Sequence, residues 1–136
     1  MTYVTCPTRR YHPVLVAQKA ATVQILSEGR FTLGLGSGEH LNEHVVGGGW
    51  PGVHVRHDML REAVEIIRDL FAGGYVDHQG RYFEFGSVKL WDLPDTPPPV
   101  GIAASGPAST ALAGELADLP LSGGDERRVR CETVHP

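Results

Sequence analysis

The residues best suited to chemistry lie in the turn Gly36-Ser37-Gly38 and in the carboxylate Glu39 that follows it. Glycines in such a turn let the backbone approach a bound ligand closely. A carboxylate just past the turn is placed for acid/base work. The same pattern is typical of an ordinary strand-to-helix turn in which an acid caps the helix N-terminus. On spacing alone, both interpretations stay open.

Two other turns carry residues of a similar kind. Cys6-Pro7-Thr8 follows the short run 3–6, and Ser105-Gly106-Pro107 follows the apolar run 100–104. Loops at the carboxyl ends of parallel strands are where α/β folds bind ligands. If the runs before the three turns are parallel strands, all three turns meet at one rim. The sequence therefore predicts a ligand site at that rim.

The segment His40-Leu41-Asn42-Glu43-His44 matches the H-x-x-E-H motif of zinc peptidases literally. Two histidines four residues apart on one helix face could hold zinc, with Glu43 as the base. The motif belongs inside a long helix, whereas here a Gly-Ser-Gly turn precedes it and three glycines follow. No third ligand is evident in the sequence, so we predict no metal site. The alternative is a pair of solvated histidines near the ligand rim.

The spacing of Gly34, Gly36 and Gly38 invites comparison with the dinucleotide fingerprint. That fingerprint is G-x-G-x-x-G with an acid about 20 residues later at the end of a strand, and neither feature matches. Trp50, in a Trp-Pro loop, and Trp91 are candidates for a substrate wall, although packing roles suit them equally. The remaining histidines are predicted to be surface residues: His54, His57, His78 and His135.

The elements that must position these residues alternate between strand and helix patterns. Helices are predicted at 14–26, 56–71 and 108–117, where apolar residues recur at helical spacing or alanines are frequent. Strands are predicted at 3–6, 31–35 and 100–104, with a hairpin at 76–90. Strands separated by helices imply parallel pairing with right-handed crossovers. The chain is therefore predicted to be an α/β protein.

Composition and charge exclude several classes of function. The 136 residues carry a formal net charge of -4 without a basic block, so nucleic acid is not an expected partner. No apolar run approaches the roughly 20 residues that span a bilayer. Residues 1–10 lack the apolar core of a secretory signal. Cys6 and Cys131 lie far apart and make no disulfide framework, so a reducing, cytoplasmic setting is expected.

Several motifs, in order and at matching separations, carry a resemblance to a known family. They are Pro7-Thr8-Arg9-Arg10-Tyr11-His12-Pro13, the stretch 29–44, the helix 59–68, Leu93-Pro94-Asp95 and the stretch 102–107. From about residue 2 to residue 118, the chain closely resembles the bacterial-luciferase-like superfamily, and within it the coenzyme F420-dependent branch similar to glucose-6-phosphate dehydrogenase. The resemblance implies a (β/α)8 barrel that carries the deazaflavin F420 at its carboxyl-terminal rim. It also implies hydride transfer between F420 and a small-molecule substrate.

The resemblance further implies roles for single residues. Glu39 matches the family's active-site glutamate, which serves in acid/base or anion-stabilising roles, and Asn42 matches a cofactor contact. Tyr3-Val4 matches a non-proline cis peptide behind the ring, and Cys6 stands where relatives often have a threonine that touches the cofactor. The backbone N–H groups of the turn after residue 104 would face the phosphate-bearing side chain of the cofactor. The implied site is catalytic Glu39 with cofactor-binding Val4, Cys6, Gly38, Asn42, Ser105 and Gly106.

A complete barrel of this type needs about 250 residues. The chain is therefore predicted to be a partial (β/α)8 TIM barrel, with about three βα units and a small hairpin insertion over residues 1–118, and an irregular tail at 119–136. We expect a truncated copy or one piece of a split barrel, inactive alone, with F420 as its cofactor. Two alternatives stay open. One is a non-catalytic remnant or subunit, partnered by a second copy or by a complementary barrel fragment. The other is an FMN-dependent luciferase-like monooxygenase.

Overall fold

The computed structural model describes residues 1–122. The helices are α1 (Pro13–Leu26), α2 (His40–Glu43), α3 (Val53–Ala72) and α4 (Pro107–Leu116), and a 3-10 helix spans His44–Val46. The strands are β1 (Leu33–Leu35), β2 (Val76–Gln79), β3 (Glu84–Val88), β4 (Val100–Ala104) and β5 (Leu119–Ser122). The three predicted helices are therefore present, and α3 begins slightly earlier than predicted.

A parallel sheet in the order β1-β4-β5 forms the centre of the described chain. Leu35 at the end of β1 lies beside Ile102 of β4, and Ala103 of β4 lies beside Leu121 of β5. The strands β2 and β3 pair separately as an antiparallel hairpin. Parallel strands joined by helices confirm the predicted α/β fold.

The hydrophobic core lies between this sheet and the long helices. The alanines Ala17, Ala20 and Ala21 of α1 are buried in it, and their small side chains allow α1 to pack closely against α3. The largest fully buried apolar side chains of the strands and of α3 are Leu33, Leu35, Leu60, Ile66, Ile67, Leu70 and Ile102. Their burial fixes the strand ends relative to one another. Within residues 1–122, no helix is long and apolar enough to cross a membrane.

The hairpin is attached to α3 by a carboxylate. Glu62 accepts hydrogen bonds from the backbone N–H groups of Tyr82 at 3.1 Å and Phe83 at 2.9 Å, and it pairs with Nε2 of His78 at 3.1 Å. His78 is half-buried and stacks on Phe85 with the ring centroids 5.6 Å apart, so the prediction that it is a surface residue is wrong. Of the other histidines predicted at the surface, His54 is exposed, as predicted, and His57 is half-buried, so the prediction is wrong for His57 as well; His135 lies outside the described residues.

The predicted strand at 3–6 is reduced to a single bridge. Thr5 pairs with Leu35 in the parallel sense, and the N–H of Thr5 donates to the carbonyl oxygen of Gly34 at 2.8 Å. Pro7 follows two residues later, and because it has no N–H it cannot continue the ladder. The segment still lies along β1, which is what the site requires.

The irregular tail predicted from residue 119 is wrong for its first four residues. Leu119–Ser122 form β5, which pairs in parallel with β4. Backbone pairing with the second edge of β4 outweighs the weak strand propensity of this segment. Pro120 is tolerated because β5 lies at the edge of the sheet in the described part of the chain. The rest of the predicted tail, 123–136, lies outside the described residues.

Candidate functional site

A cleft of about 690 Å³ opens where β1 and β4 end. Because Leu35 and Ile102 are in register, the turns that follow the two strands begin side by side. Six of the seven predicted site residues line the cleft: Val4, Cys6, Gly38, Glu39, Asn42 and Ser105. The seventh, Gly106, lines an adjoining cleft of about 470 Å³ that also includes Gly38, Glu39 and Ser105. The structure thus brings the predicted residues to one rim, and their roles stay predictions.

The N-terminal segment forms one wall of the cleft. The peptide bond between Tyr3 and Val4 is cis, as the resemblance predicted. A Cβ placed at Gly36 would come 3.0 Å from Cγ2 of Val4, so the absence of a side chain at position 36 lets the wall lie against β1. Ala103 and Ala104 of β4 also line the cleft, which gives it an apolar floor.

Glu39 presents an exposed carboxylate at the start of α2. Its backbone is extended, with φ -124° and ψ 138°, and its carbonyl oxygen accepts hydrogen bonds from the N–H groups of Asn42 at 3.1 Å and Glu43 at 3.0 Å. The Glu39 carboxylate also lies 3.5 Å from Nδ2 of Asn42. These bonds fix the backbone of Glu39 while its carboxylate faces the cleft. That arrangement suits a group that exchanges a proton with a ligand.

Cys6 lies beside two carboxylates at the base of the cleft. Burial, together with the negative charges of Glu43 and Glu39, raises the pKa of its thiol to about 11, although a backbone hydrogen bond from Gly38 and the charge of Arg10 work in the opposite direction. The thiol is therefore neutral at pH 7. A neutral thiol is a weak hydrogen-bond donor, so Cys6 offers less to a ligand than the threonine expected from the resemblance.

The histidine motif does not form a zinc site in the described residues. The helix α2 is one turn long, and the rings of His40 and His44 are 6.1 Å apart. Glu43 is 3% exposed, and its carboxylate accepts a hydrogen bond from the N–H of Arg10 at 3.3 Å instead of facing the two rings. Within residues 1–122, no group of three or more histidine, cysteine, aspartate or glutamate side chains is placed to hold a metal ion.

The turn after β4 differs from the prediction in one respect. The backbone N–H groups of Ser105 and Gly106, which the resemblance assigned to the cofactor, both donate to Oγ of Ser109 at 3.0 Å. The next N–H groups, of Ala108 and Ser109, belong to the first turn of α4 and have no partner within the helix. Ala108 and Ser109 line the adjoining cleft, so their N–H groups are the better candidates for contact with an anion.

Sequence reasoning missed Arg56, which lines the adjoining cleft with Trp50. The guanidinium of Arg56 lies over the indole of Trp50, 4.5 Å from the ring centroid. The sequence did contain a signal for Arg56, because a cation near the start of a helix is unfavourable to the helix dipole. An arginine at that position indicates a partner outside the helix. Trp91, the other candidate for a substrate wall, is 78% exposed.

A cleft at the carboxyl ends of parallel strands is where α/β barrels and related folds bind ligands. The sequence profile of the luciferase-like monooxygenase family matches residues 1–134, and the chain therefore belongs to this family. The resemblance stated from the motifs is confirmed.

Within the family, similar proteins are F420-dependent dehydrogenases. The F420-dependent hydroxymycolic acid dehydrogenase of Mycobacterium tuberculosis is 48% identical over 117 residues, which are 86% of this chain and 32% of the relative. The F420-dependent glucose-6-phosphate dehydrogenase of Beutenbergia cavernae is 43% identical over 136 residues, which are 99% of this chain and 40% of the relative. The chain thus spans about a third to two fifths of the length of these relatives.

A solved structure supports the same assignment. An F420-dependent secondary alcohol dehydrogenase in complex with an F420-acetone adduct superposes with a TM-score of 0.84 at 38% sequence identity. The match covers 88% of this chain and 36% of that one. It confirms that the described residues adopt part of a TIM-barrel fold, as predicted.

Proposed function

We propose that this chain supplies the ring-binding cleft and the acid/base carboxylate of an F420-dependent oxidoreductase. The observation that carries the proposal is the single rim on which Val4, Glu39, Asn42 and Ser105 converge. The relatives and the solved structure described above are all named for dependence on F420. None of the three names includes FMN, so F420 is the favoured cofactor.

The residues of the cleft fit a flat cofactor ring. A volume of about 690 Å³ lies within the range of sites for small molecules and cofactors. Val4 and Ala103 give apolar surface for a ring, and Asn42 gives an amide that can hydrogen-bond to its polar edge. When bound, the deazaflavin supplies a ring carbon that accepts or donates a hydride. The first turn of α4 would meet the phosphate-bearing part of the cofactor.

Glu39 would hold or move a proton at the substrate oxygen. Its carboxylate is exposed to the cleft while its backbone is fixed by the start of α2, so the group is free to meet a substrate at a defined place. The substrate class favoured by the names of the relatives is an alcohol, which loses a proton from oxygen as it loses a hydride from carbon. The identity of the alcohol would depend on groups beyond the described residues.

The cofactor part of the proposal is tested by titrating the purified chain with coenzyme F420 and, in parallel, with FMN. We expect saturable quenching of the F420 fluorescence and clearly weaker binding of FMN. Tighter binding of FMN would instead favour the alternative that the chain is part of an FMN-dependent monooxygenase. Absence of binding to either, together with a defined oligomer, would favour the non-catalytic subunit.

The catalytic part needs a whole barrel, because we propose that the chain alone binds F420 without turning over substrate. A chimaera in which this chain replaces the matching segment of a full-length F420-dependent relative provides one. In it, Glu39→Gln is expected to lower kcat by about 10²- to 10⁴-fold, the usual contribution of a general acid or base, while F420 affinity is retained. Glu65→Gln, at an exposed position of α3, is the matched control. Unchanged turnover in an active Glu39→Gln chimaera would overturn the role of Glu39.

A further inference from the structure

We propose that Arg56 is a positioning residue that holds the glycine turn of the cleft, and with it Glu39, in place. Arg56 lies near the start of α3, and this helix contributes no residue to the cleft of about 690 Å³. The expected effect of Arg56 on cofactor binding rests on the proposed function. Its effect on the conformation of the turn follows from contacts within the chain.

The guanidinium of Arg56 ties two separate loops to α3. Its Nη1 donates to the carbonyl oxygen of Gly38 at 3.0 Å and lies 3.5 Å from Oγ of Ser37. Its Nε donates to the carbonyl oxygen of Pro51 at 3.2 Å. A planar fork with fixed donors holds two carbonyl groups in one defined geometry, whereas the donors of a lysine ammonium lie on a single atom and rotate freely. The carbonyl of Gly38 belongs to the peptide group that joins Gly38 to Glu39, so this bond sets the direction in which Glu39 leaves the turn.

Trp50 completes the arrangement. The Arg56 guanidinium covers its indole at 4.5 Å, and a Cβ placed at Gly38 would come 3.4 Å from Cη2 of the same indole. The ring of His40 meets Trp50 edge to face, with the centroids 5.6 Å apart. Trp50 is therefore held between the guanidinium and the turn. Gly38 has φ +89°, a conformation that glycine adopts at low cost, so the turn has little stiffness of its own and depends on these contacts.

The contacts also argue against a role for Arg56 as a direct ligand for an anion. The side chain is half-buried, and both its Nη1 and its Nε donate to carbonyl groups of the protein. A cation held this way positions the backbone of the turn. Loss of the guanidinium is therefore expected to loosen Trp50 and the turn together.

The experiment compares Arg56→Met and Arg56→Lys with Arg68→Met, all in a Trp91→Phe background of the 136-residue chain. That background leaves Trp50 as the single tryptophan. Arg68 is a matched control, since it lies on the same helix and also donates to a backbone carbonyl, that of Leu116 at 2.8 Å. Acrylamide quenching of Trp50 is measured without any cofactor, and F420 affinity is measured separately.

Arg56→Met is expected to raise the quenching of Trp50 toward its value in the urea-unfolded chain, and Arg68→Met to leave it unchanged. The F420 dissociation constant of Arg56→Met should rise by about ten-fold, as for the loss of a charge-assisted hydrogen bond. Arg56→Lys should recover part of both losses. Equal quenching in Arg56→Met and Arg68→Met would overturn the proposal. If the parent chain binds no F420, the proposed function fails, yet the quenching comparison still decides whether Arg56 positions the turn.

Discussion

Thr2 and Gly34 are joined by a reciprocal pair of hydrogen bonds. The hydroxyl of Thr2 donates to the carbonyl oxygen of Gly34 at 3.1 Å and accepts from the N–H of Gly34 at 3.0 Å. A Cβ at Gly34 would overlap the carbonyl oxygen of Thr2. The N-terminal wall of the cleft therefore depends on the absence of a side chain in the middle of β1.

Replacement of this glycine is expected to displace the wall. Gly34→Ala should lower the free energy of unfolding by about 1–3 kcal/mol, as overpacking of a filled site does, and should weaken F420 binding because Val4 moves with Thr2. Gly114→Ala, on an open face of α4, is the control and should raise stability by up to about 1 kcal/mol. Urea unfolding and F420 titration measure the two effects. A Gly34→Ala chain as stable as the parent would contradict the close approach.

Glu62 makes the attachment of the hairpin dependent on pH. Burial raises the pKa of this carboxyl, but hydrogen bonds from His78 and from the backbone of Phe83 and Tyr82 outweigh burial and hold the pKa below its ordinary value of 4.5. A carboxyl whose pKa is lower in the folded chain stabilises the fold fully above its unfolded pKa. That contribution is lost as the pH falls through the folded pKa.

Glu62→Gln is therefore expected to destabilise the chain at neutral pH and to differ less from the parent in acid. Loss of hydrogen bonds to a charged group lowers the free energy of unfolding by about 1.5–3 kcal/mol. The difference between parent and variant should shrink below pH 4.5. Glu65→Gln, exposed on the same helix, should show neither effect. A difference in the free energy of unfolding between parent and Glu62→Gln that stays constant with pH would count against the hydrogen bonds assigned to Glu62.

His12 gives a second dependence on pH, at the start of α1. Its Nδ1 accepts the N–H of Val14 at 3.3 Å, and burial lowers the pKa of the ring below 6.5. Because the unfolded chain takes up a proton more readily than the folded one, the fold loses stability as the pH falls below 6.5.

His12→Asn keeps a capping acceptor and removes the titrating ring. Relative to the parent, its stability should therefore improve as the pH falls from about 8 to about 5.5. The ring of His12 also meets Phe83 edge to face, with the centroids 5.4 Å apart, and loss of that contact adds an offset that does not change with pH. His12→Ala, which also removes the cap, should be less stable than His12→Asn by about 1 kcal/mol at every pH. Thermal melts across this range measure both. If the melting temperatures of the parent and of His12→Asn change equally with pH, the ring does not titrate as described.

The thiol of Cys6 is expected to react slowly. A Cys131→Ser background leaves Cys6 as the single cysteine. With a pKa of about 11, Cys6 should be alkylated by iodoacetamide far more slowly at pH 8 than a free thiol. Glu43→Gln should lower this pKa and raise the rate, while Glu65→Gln should not. A rate profile centred on the pKa of an ordinary thiol would refute the buried, negatively charged surroundings.

The sequence predicted the helices and the rim because these follow from local patterns. Apolar residues at helical spacing place α3, and turns at strand ends meet wherever the strands are parallel. The strand β5 escaped prediction because its formation depends on the free edge of β4, and no local signal in Leu119–Ser122 reports that edge. Tertiary pairing of this kind routinely overrides propensity.

The contacts that shape the site could not be predicted from the sequence for a related reason. Arg56 meets Gly38 across 18 positions of the chain, and His78 meets Glu62 across 16. Neither pair has a spacing that marks it within one helix or one hairpin. The bond to Ser109 could have been predicted, since in a capping box the side chain at the third helical position accepts the N–H of the N-cap residue, and Ser109 stands three residues after Gly106.

The register between Leu35 and Ile102 joins the two halves of the rim directly, although the hairpin lies between them in the chain. The hairpin is attached to α3 through Glu62 and contributes no residue to the cleft of about 690 Å³. Changes in its outer turn are therefore expected to leave the cleft intact. This turn is also where a foreign peptide could be grafted for labelling or capture.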